Sequence, residues 1–88
     1  MNWRGMERIT KGIANHRRLE ILDLLHKKPE LSVDEIATEL KINLKTASEH
    51  LRRMALSGLI MKRYEAQFVR HKITSRGSSI LKFLRILE

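Results

Sequence analysis

Residues 32–58, SVDEIATELKINLKTASEHLRRMALSG, leave the chain little freedom in how it can fold. Ser32 followed three residues later by Glu35 is a capping box, which opens a helix by satisfying the free N–H groups of its first turn. Val33, Ile36, Ala37 and Leu40 then recur at helical spacing and give that helix one apolar stripe. Only Lys41-Ile42-Asn43 separates it from another helix, which Asn43 caps and in which Ala47, Leu51, Met54 and Ala55 fall on one side. Ser57-Gly58 ends it, glycine supplying the left-handed conformation that residues with a Cβ resist. Two short helices joined this tightly must pack as a unit.

The flanking sequence supplies what they pack on. Trp3, Met6, Ile9 and Ile13 recur at helical spacing and predict a first helix from about Asn2 to Ala14. Leu19, Ile21, Leu22, Leu24 and Leu25 predict a central, mostly buried helix that stops near Lys27-Lys28, with Pro29 just beyond. After Gly58 the sequence alternates. Ile60, Lys62 and Tyr64 interleave with Leu59, Met61 and Arg63, and Val69, His71 and Ile73 with Phe68, Arg70 and Lys72. Glu65-Ala66-Gln67 is the natural turn of this β-hairpin, although it lacks the Gly or Asn that would pin the register. A last helix from about Arg76 carries Ile80, Leu81, Phe83, Leu84, Ile86 and Leu87. The expected fold is mainly α with a small β-hairpin, in the order α-α-α-turn-α-ββ-α. At 88 residues, one domain with one modest core is expected.

Charge narrows the class of partner. Residues 1–40 hold seven Lys/Arg and seven Asp/Glu, whereas residues 41–76 hold nine bases against Glu49 and Glu65, so most of the net +8 falls in one segment. A neutral scaffold with a basic segment points to a polyanion. The absence of cysteine excludes disulfides, thiolate metal sites and cysteine nucleophiles. No run approaches the roughly 18 apolar residues of a membrane span, and the N-terminus lacks a secretory pattern, so no membrane role and a cytoplasmic protein are expected. Gly5, Gly12, Gly58 and Gly77 lie too far apart for a phosphate loop, and no Ser, His and Asp fall in a spacing that prepares a nucleophile. His16, His26, His50 and His71 are scattered, and Asp23 with His26 alone does not complete a metal shell. Neither an enzyme, a metal site nor a cofactor is expected.

A tight helix pair followed by a basic hairpin makes a helix-turn-helix with a wing. At this point the chain resembles winged-helix regulators of the ArsR type, through NHRRLEIL (Asn15–Leu22), LSVDEIATELKINLKTASEHLRRM (Leu31–Met54) and SGLIMKRYEAQFVRHKIT (Ser57–Thr74). The family pattern of Ser, one residue, His-Leu, then Gly-Leu-hydrophobic is met by Ser48, His50-Leu51 and Gly58-Leu59-Ile60. The segment ITSRGSSIL (Ile73–Leu81) is also similar to the strand-to-helix junction of MarR-type and related archaeal winged helices, which leaves the subfamily open. The resemblance implies a single winged-helix DNA-binding domain over 1–88, with the helix-turn-helix at about 32–57 and the wing at about 59–74. Metal-sensing members of the family place cysteines where this chain has Leu31-Ser32-Val33-Asp34. Others use carboxylates and histidines in the last helix, which here holds no His and one acid, Glu88. Both sensor sites are missing, and no effector is disclosed.

The helix at 44–57 is the expected reader of a major groove in double-stranded DNA. Asn43, Lys45, Thr46, Ser48 and Glu49 lie at or near its N-terminal end. Lys45 suits guanine, Thr46 and Ser48 suit bases or phosphates, and Glu49 suits cytosine. Arg52 and Arg53, further along, suit backbone phosphates. His50 borders the buried stripe, either as a DNA contact or as a half-buried ring donating to a backbone carbonyl. In the wing, Lys62, Arg63, Gln67, Arg70 and Lys72 are the expected contacts, with Arg63 or Arg70 reaching the minor groove. Trp3, Met6, Ile9 and Ile13 of the first helix, with Ile80, Phe83, Leu84 and Leu87 of the last, exceed what one small core covers. They predict a symmetric homodimer. The other reading is a winged-helix protein-interaction or RNA-binding module of a larger assembly, with Tyr64 and Phe68 as contacts.

Overall fold

The computed structural model describes all of residues 1–88. Its elements are α1 (Trp3–Ile13), α2 (His16–Lys27), α3 (Val33–Leu40), α4 (Leu44–Leu56), β1 (Ile60–Glu65), β2 (Phe68–Ile73) and α5 (Ser75–Leu87). The mainly helical order with one hairpin is the one the periodicities predict.

Every helix starts on a side-chain cap. Ser32 and Glu35 form the reciprocal capping box of α3, and Asn43 Oδ1 accepts the N–H groups of Lys45 (2.8 Å) and Thr46 (3.3 Å). Asn2 caps α1 and Asn15 caps α2 in the same manner. Thr74 serves α5 twice over. Its Oγ1 accepts from Gly77 N–H (3.1 Å) while donating to the Gly58 carbonyl (2.6 Å), which ties the start of α5 to the end of α4. Between α3 and α4, Lys41 adopts φ 55°, taking a left-handed position usually given to glycine or asparagine.

The hairpin is tighter than the three-residue turn expected. Glu65 belongs to β1 and pairs with Phe68, leaving a two-residue loop of Ala66 and Gln67. Ala66 takes φ 53°, a conformation in which glycine is the usual choice. Beyond the hairpin, Leu31 and His71 form an isolated bridge: each backbone N–H donates to the other's carbonyl, at 3.2 and 2.8 Å. That bridge fixes the base of the hairpin to the residue preceding the α3 cap.

The core joins Ile21, Leu22 and Leu25 of α2 to Leu31, Ile36, Leu51, Met54, Leu59 and Ile60. Helix α2 lies against α1, α3, α4, α5 and β2, which explains why its apolar residues are too dense for a single stripe. Burying side chains of this size is worth about 1.5–3 kcal/mol each. Because Ala47, Leu51 and Met54 are consumed in that core, the opposite side of α4 has to face solvent.

Candidate nucleic-acid interface

The solvent face of α4 carries Lys45, Thr46, Ser48, Glu49, Arg52 and Arg53, all exposed. The structure thus brings the expected reading residues onto one surface. Asn43 stands apart, since its side-chain oxygen is already engaged by two amides of the first turn.

Glu49 organises the middle of this face. Its carboxylate accepts from Arg52 through Nη2 (2.7 Å) and Nε (3.2 Å), and from Arg53 Nε at 3.2 Å. The hydrogen bonds from Arg52 and then Arg53 hold its pKa down at about 2. A side chain read as an acceptor for cytosine is therefore occupied by the two arginines read as phosphate contacts. Their reach toward a backbone is coupled to its charge.

His50 has a side-chain partner where one of its two sequence readings expected a backbone carbonyl. It is buried, at 9% exposure, and its Nδ1 accepts from Arg18 Nε at 3.1 Å rather than donating to a carbonyl. Burial, followed by the nearby Arg18 charge, lowers its pKa and favours the neutral ring. Arg18 also donates through Nη1 to the Lys11 carbonyl (2.9 Å), so one guanidinium ties α4 to the end of α1. No local motif announces this link, because its partners lie 32 residues apart and meet only through α2 packing.

In the wing, the hairpin register sets Arg63 directly opposite Arg70, a like-charge pair that would repel if left alone. Acids from within the hairpin and from outside it relieve it. Arg63 pairs with Glu30 (2.6 Å) and Glu65 (2.7 Å), and Arg70 with Glu35 (3.1 Å). Arg70 also stacks over the Phe68 ring, 5.9 Å from its centroid. Hydrogen bonds that Arg63 donates to Glu30 and then Glu65 raise its pKa further. Lys62 and Lys72 are exposed and unpaired, while Gln67 sits exposed at the tip. The linear charge count misplaces the excess here, since Glu30 and Glu35 come from the neutral half and offset the wing arginines.

The terminal helices divide in two. Ile9, Ile13 and Ile80 pack against their own core. Trp3 (75%), Met6 (39%), Phe83 (56%) and Leu87 (64%) remain exposed, as does Ile86 (79%), and Leu84 is half-buried. Asp23 is held by Lys27 and Arg85, and no group of three or more His, Asp or Glu is gathered anywhere. No helix is long and apolar enough to cross a membrane.

Comparison with known proteins agrees with this geometry. Residues 15–61 match the winged helix-turn-helix DNA-binding family model. The chain is 37% identical over 82 residues to the transcriptional activator HlyU of Vibrio cholerae, an alignment covering 85% of this chain and 75% of that protein. It is 36% identical over 81 residues to the HTH-type transcriptional regulator Rv0324 of Mycobacterium tuberculosis, covering 92% of this chain. That alignment spans only 34% of the mycobacterial protein, about a third of its length. Among solved structures, the homodimeric winged helix-turn-helix DNA-binding domain Mb0332 from Mycobacterium bovis superposes with a TM-score of 0.86 at 33% identity, covering 96% of this chain and 78% of that one.

Proposed function

This chain belongs to the ArsR-like winged helix-turn-helix family of sequence-specific DNA-binding transcriptional regulators, and we propose that it acts as a homodimer that sets α4 in the major groove with the β1–β2 hairpin as wing. The family is one of regulators and not of enzymes. The observation that carries the reading is the two-sided character of α4. Its apolar side is locked into the core, and its solvent side holds Lys45, Thr46, Ser48, Glu49, Arg52 and Arg53 in water, with Leu44 and Leu56 the exposed apolar residues beside them.

Under this reading Lys45, Thr46 and Ser48 address base edges, while Arg52 and Arg53 address phosphates on either side of the groove. Lys62, Lys72 and Gln67 supply the wing contact, with Arg63 and Arg70 joining once DNA competes for the carboxylates that hold them. The whole of 1–88 acts as one DNA-binding domain. Trp3, Met6, Phe83, Leu84 and Leu87 form the subunit contact, with Ile9, Ile13 and Ile80 supporting it from the core side. The homodimeric state of the Mycobacterium bovis domain supports that assignment.

Binding isotherms of Thr46→Ala and Ser48→Ala on duplexes that vary one base pair at a time test the docking. Each substitution is expected to relax preference at particular positions, by about 1–3 kcal/mol of discrimination per lost base contact. Unchanged positional preference in both variants would overturn the placement of α4.

A further inference from the structure

Beside the recognition face, four basic side chains from three helices converge on one groove. Arg8 and Lys11 come from α1, Arg18 from α2 and Arg53 from α4, with Gly12, Leu56 and Ser57 forming the rest of the wall. The groove is built to a close tolerance. A Cβ on Gly12 would stand 2.3 Å from Ser57 Oγ, so only glycine lets α1 lie this close to the end of α4. Ser57 Oγ donates to the Arg8 carbonyl (3.2 Å), and Arg18 donates to the Lys11 carbonyl (2.9 Å). The backbones that carry the cations are therefore cross-linked to each other.

Their charge is not balanced locally. Arg8 and Arg18 have no carboxylate within ion-pairing distance. Lys11 has only Glu7 at 3.8 Å, both side chains well exposed, and Arg53 shares Glu49 with Arg52. Burial, and then repulsion from Arg53, lower the Arg18 pKa, as expected where cations gather without enough counter-charge. A guanidinium has five N–H donors, and Arg18 spends only Nε and one Nη1 bond on protein acceptors.

Forked, charged donors held in an open groove match the oxygens of a phosphate. Arg53 settles which phosphate source fits best. It lies on the solvent face of α4 and also lines this groove, so the groove continues the surface assigned to DNA.

We propose that the groove formed by Arg8, Lys11, Arg18 and Arg53 clamps a backbone phosphate of the same duplex that receives α4, extending the DNA footprint onto α1 and α2. This inference rests on the DNA-binding reading above. Arg8 is the best probe, because it is exposed and holds no side-chain bond in the free protein.

The test measures affinity by fluorescence anisotropy across a salt series, on a duplex recovered from genomic selection and on a random-sequence duplex. Arg8→Gln is expected to flatten the slope of log affinity against log salt by about one unit and to weaken both duplexes equally, by about tenfold at moderate salt. Arg8→Lys, which keeps the charge, is expected to restore most of the slope, and Lys27→Gln, at the far end of α2, to leave it unchanged. An unaltered slope in Arg8→Gln, with wild-type binding intact, would overturn the clamp and leave the DNA-binding reading standing. A change in base preference instead of slope, or in self-association without a change in slope, would also overturn it. Failure of the wild-type protein to bind either duplex would instead remove the reading on which the clamp rests.

Discussion

Two buried histidines tie the stability of this fold to pH. His71 is 3% exposed and its Nδ1 donates to the Leu31 carbonyl at 3.0 Å, next to the bridge that anchors the wing. Burial lowers its pKa, outweighing the opposing effect of that hydrogen bond, and the nearby Lys62 lowers it further. His50 is lowered chiefly by burial and then by Arg18. Both rings therefore bind protons less readily folded than unfolded. Near and below the ordinary imidazole value of about 6.5, the unfolded chain holds more protons, so stability falls as pH drops. Thermal denaturation in a series from about pH 8 to pH 5 is expected to show this decline, and a His50→Gln/His71→Gln variant to flatten it. A wild-type melting temperature that holds constant or rises toward acid would contradict it. Neither partner was legible in the sequence: His50 stood visibly at the border of an apolar stripe, but Arg18 reaches it only through the packing of α2.

At the scale of elements, α4 and the wing keep their charges in check by opposite routes. Within α4, Glu49 holds Arg52 and Arg53 from its own helix, at i+3 and i+4 spacing. In the wing, Arg63 and Arg70 are held largely by Glu30 and Glu35, which precede and open α3. Releasing the first restraint is expected to strengthen DNA binding without regard to sequence. Glu49→Gln removes one negative charge and frees two arginines, so its salt slope is expected to steepen by about one to two units on random-sequence DNA. An unchanged slope would mean that neither arginine meets a phosphate. Much of the local architecture was readable beforehand, because the Ser32–Glu35 box, the Asn43 cap and the Ser57-Gly58 stop each act within a few residues. Thr74 was harder to read as the cap of α5, since its second bond runs to Gly58, 16 residues earlier. The hairpin turn was read one residue too long because Ala66 accepts a left-handed conformation that its type disfavours.

Across the whole molecule, positive charge follows a route that the linear sequence hides. Glu30 and Glu35, from the neutral half, lie against the wing. Arg8 and Arg18, from that same half, are left unpaired beside α4. The basic surface thus runs from α4 toward α1 and α2 as well as toward the hairpin, so a count by segment locates the basic character but not its outline. The apolar remainder on α1 and α5 was legible as an excess over one core. Periodicity could not separate Ile9, Ile13 and Ile80, which turn inward, from Trp3, Phe83 and Leu87, which stay in water. A homodimer built on that face would present two copies of α4 related by a two-fold axis, and so would require an operator with matching symmetry. Selection of bound fragments from genomic DNA by the purified protein, at two salt concentrations, tests this most directly. The expected result is a two-fold-symmetric motif with half-sites about one helical turn, roughly 34 Å, apart that persists at the higher salt. Recovery of salt-sensitive fragments with no common motif, or of none at all, would contradict it.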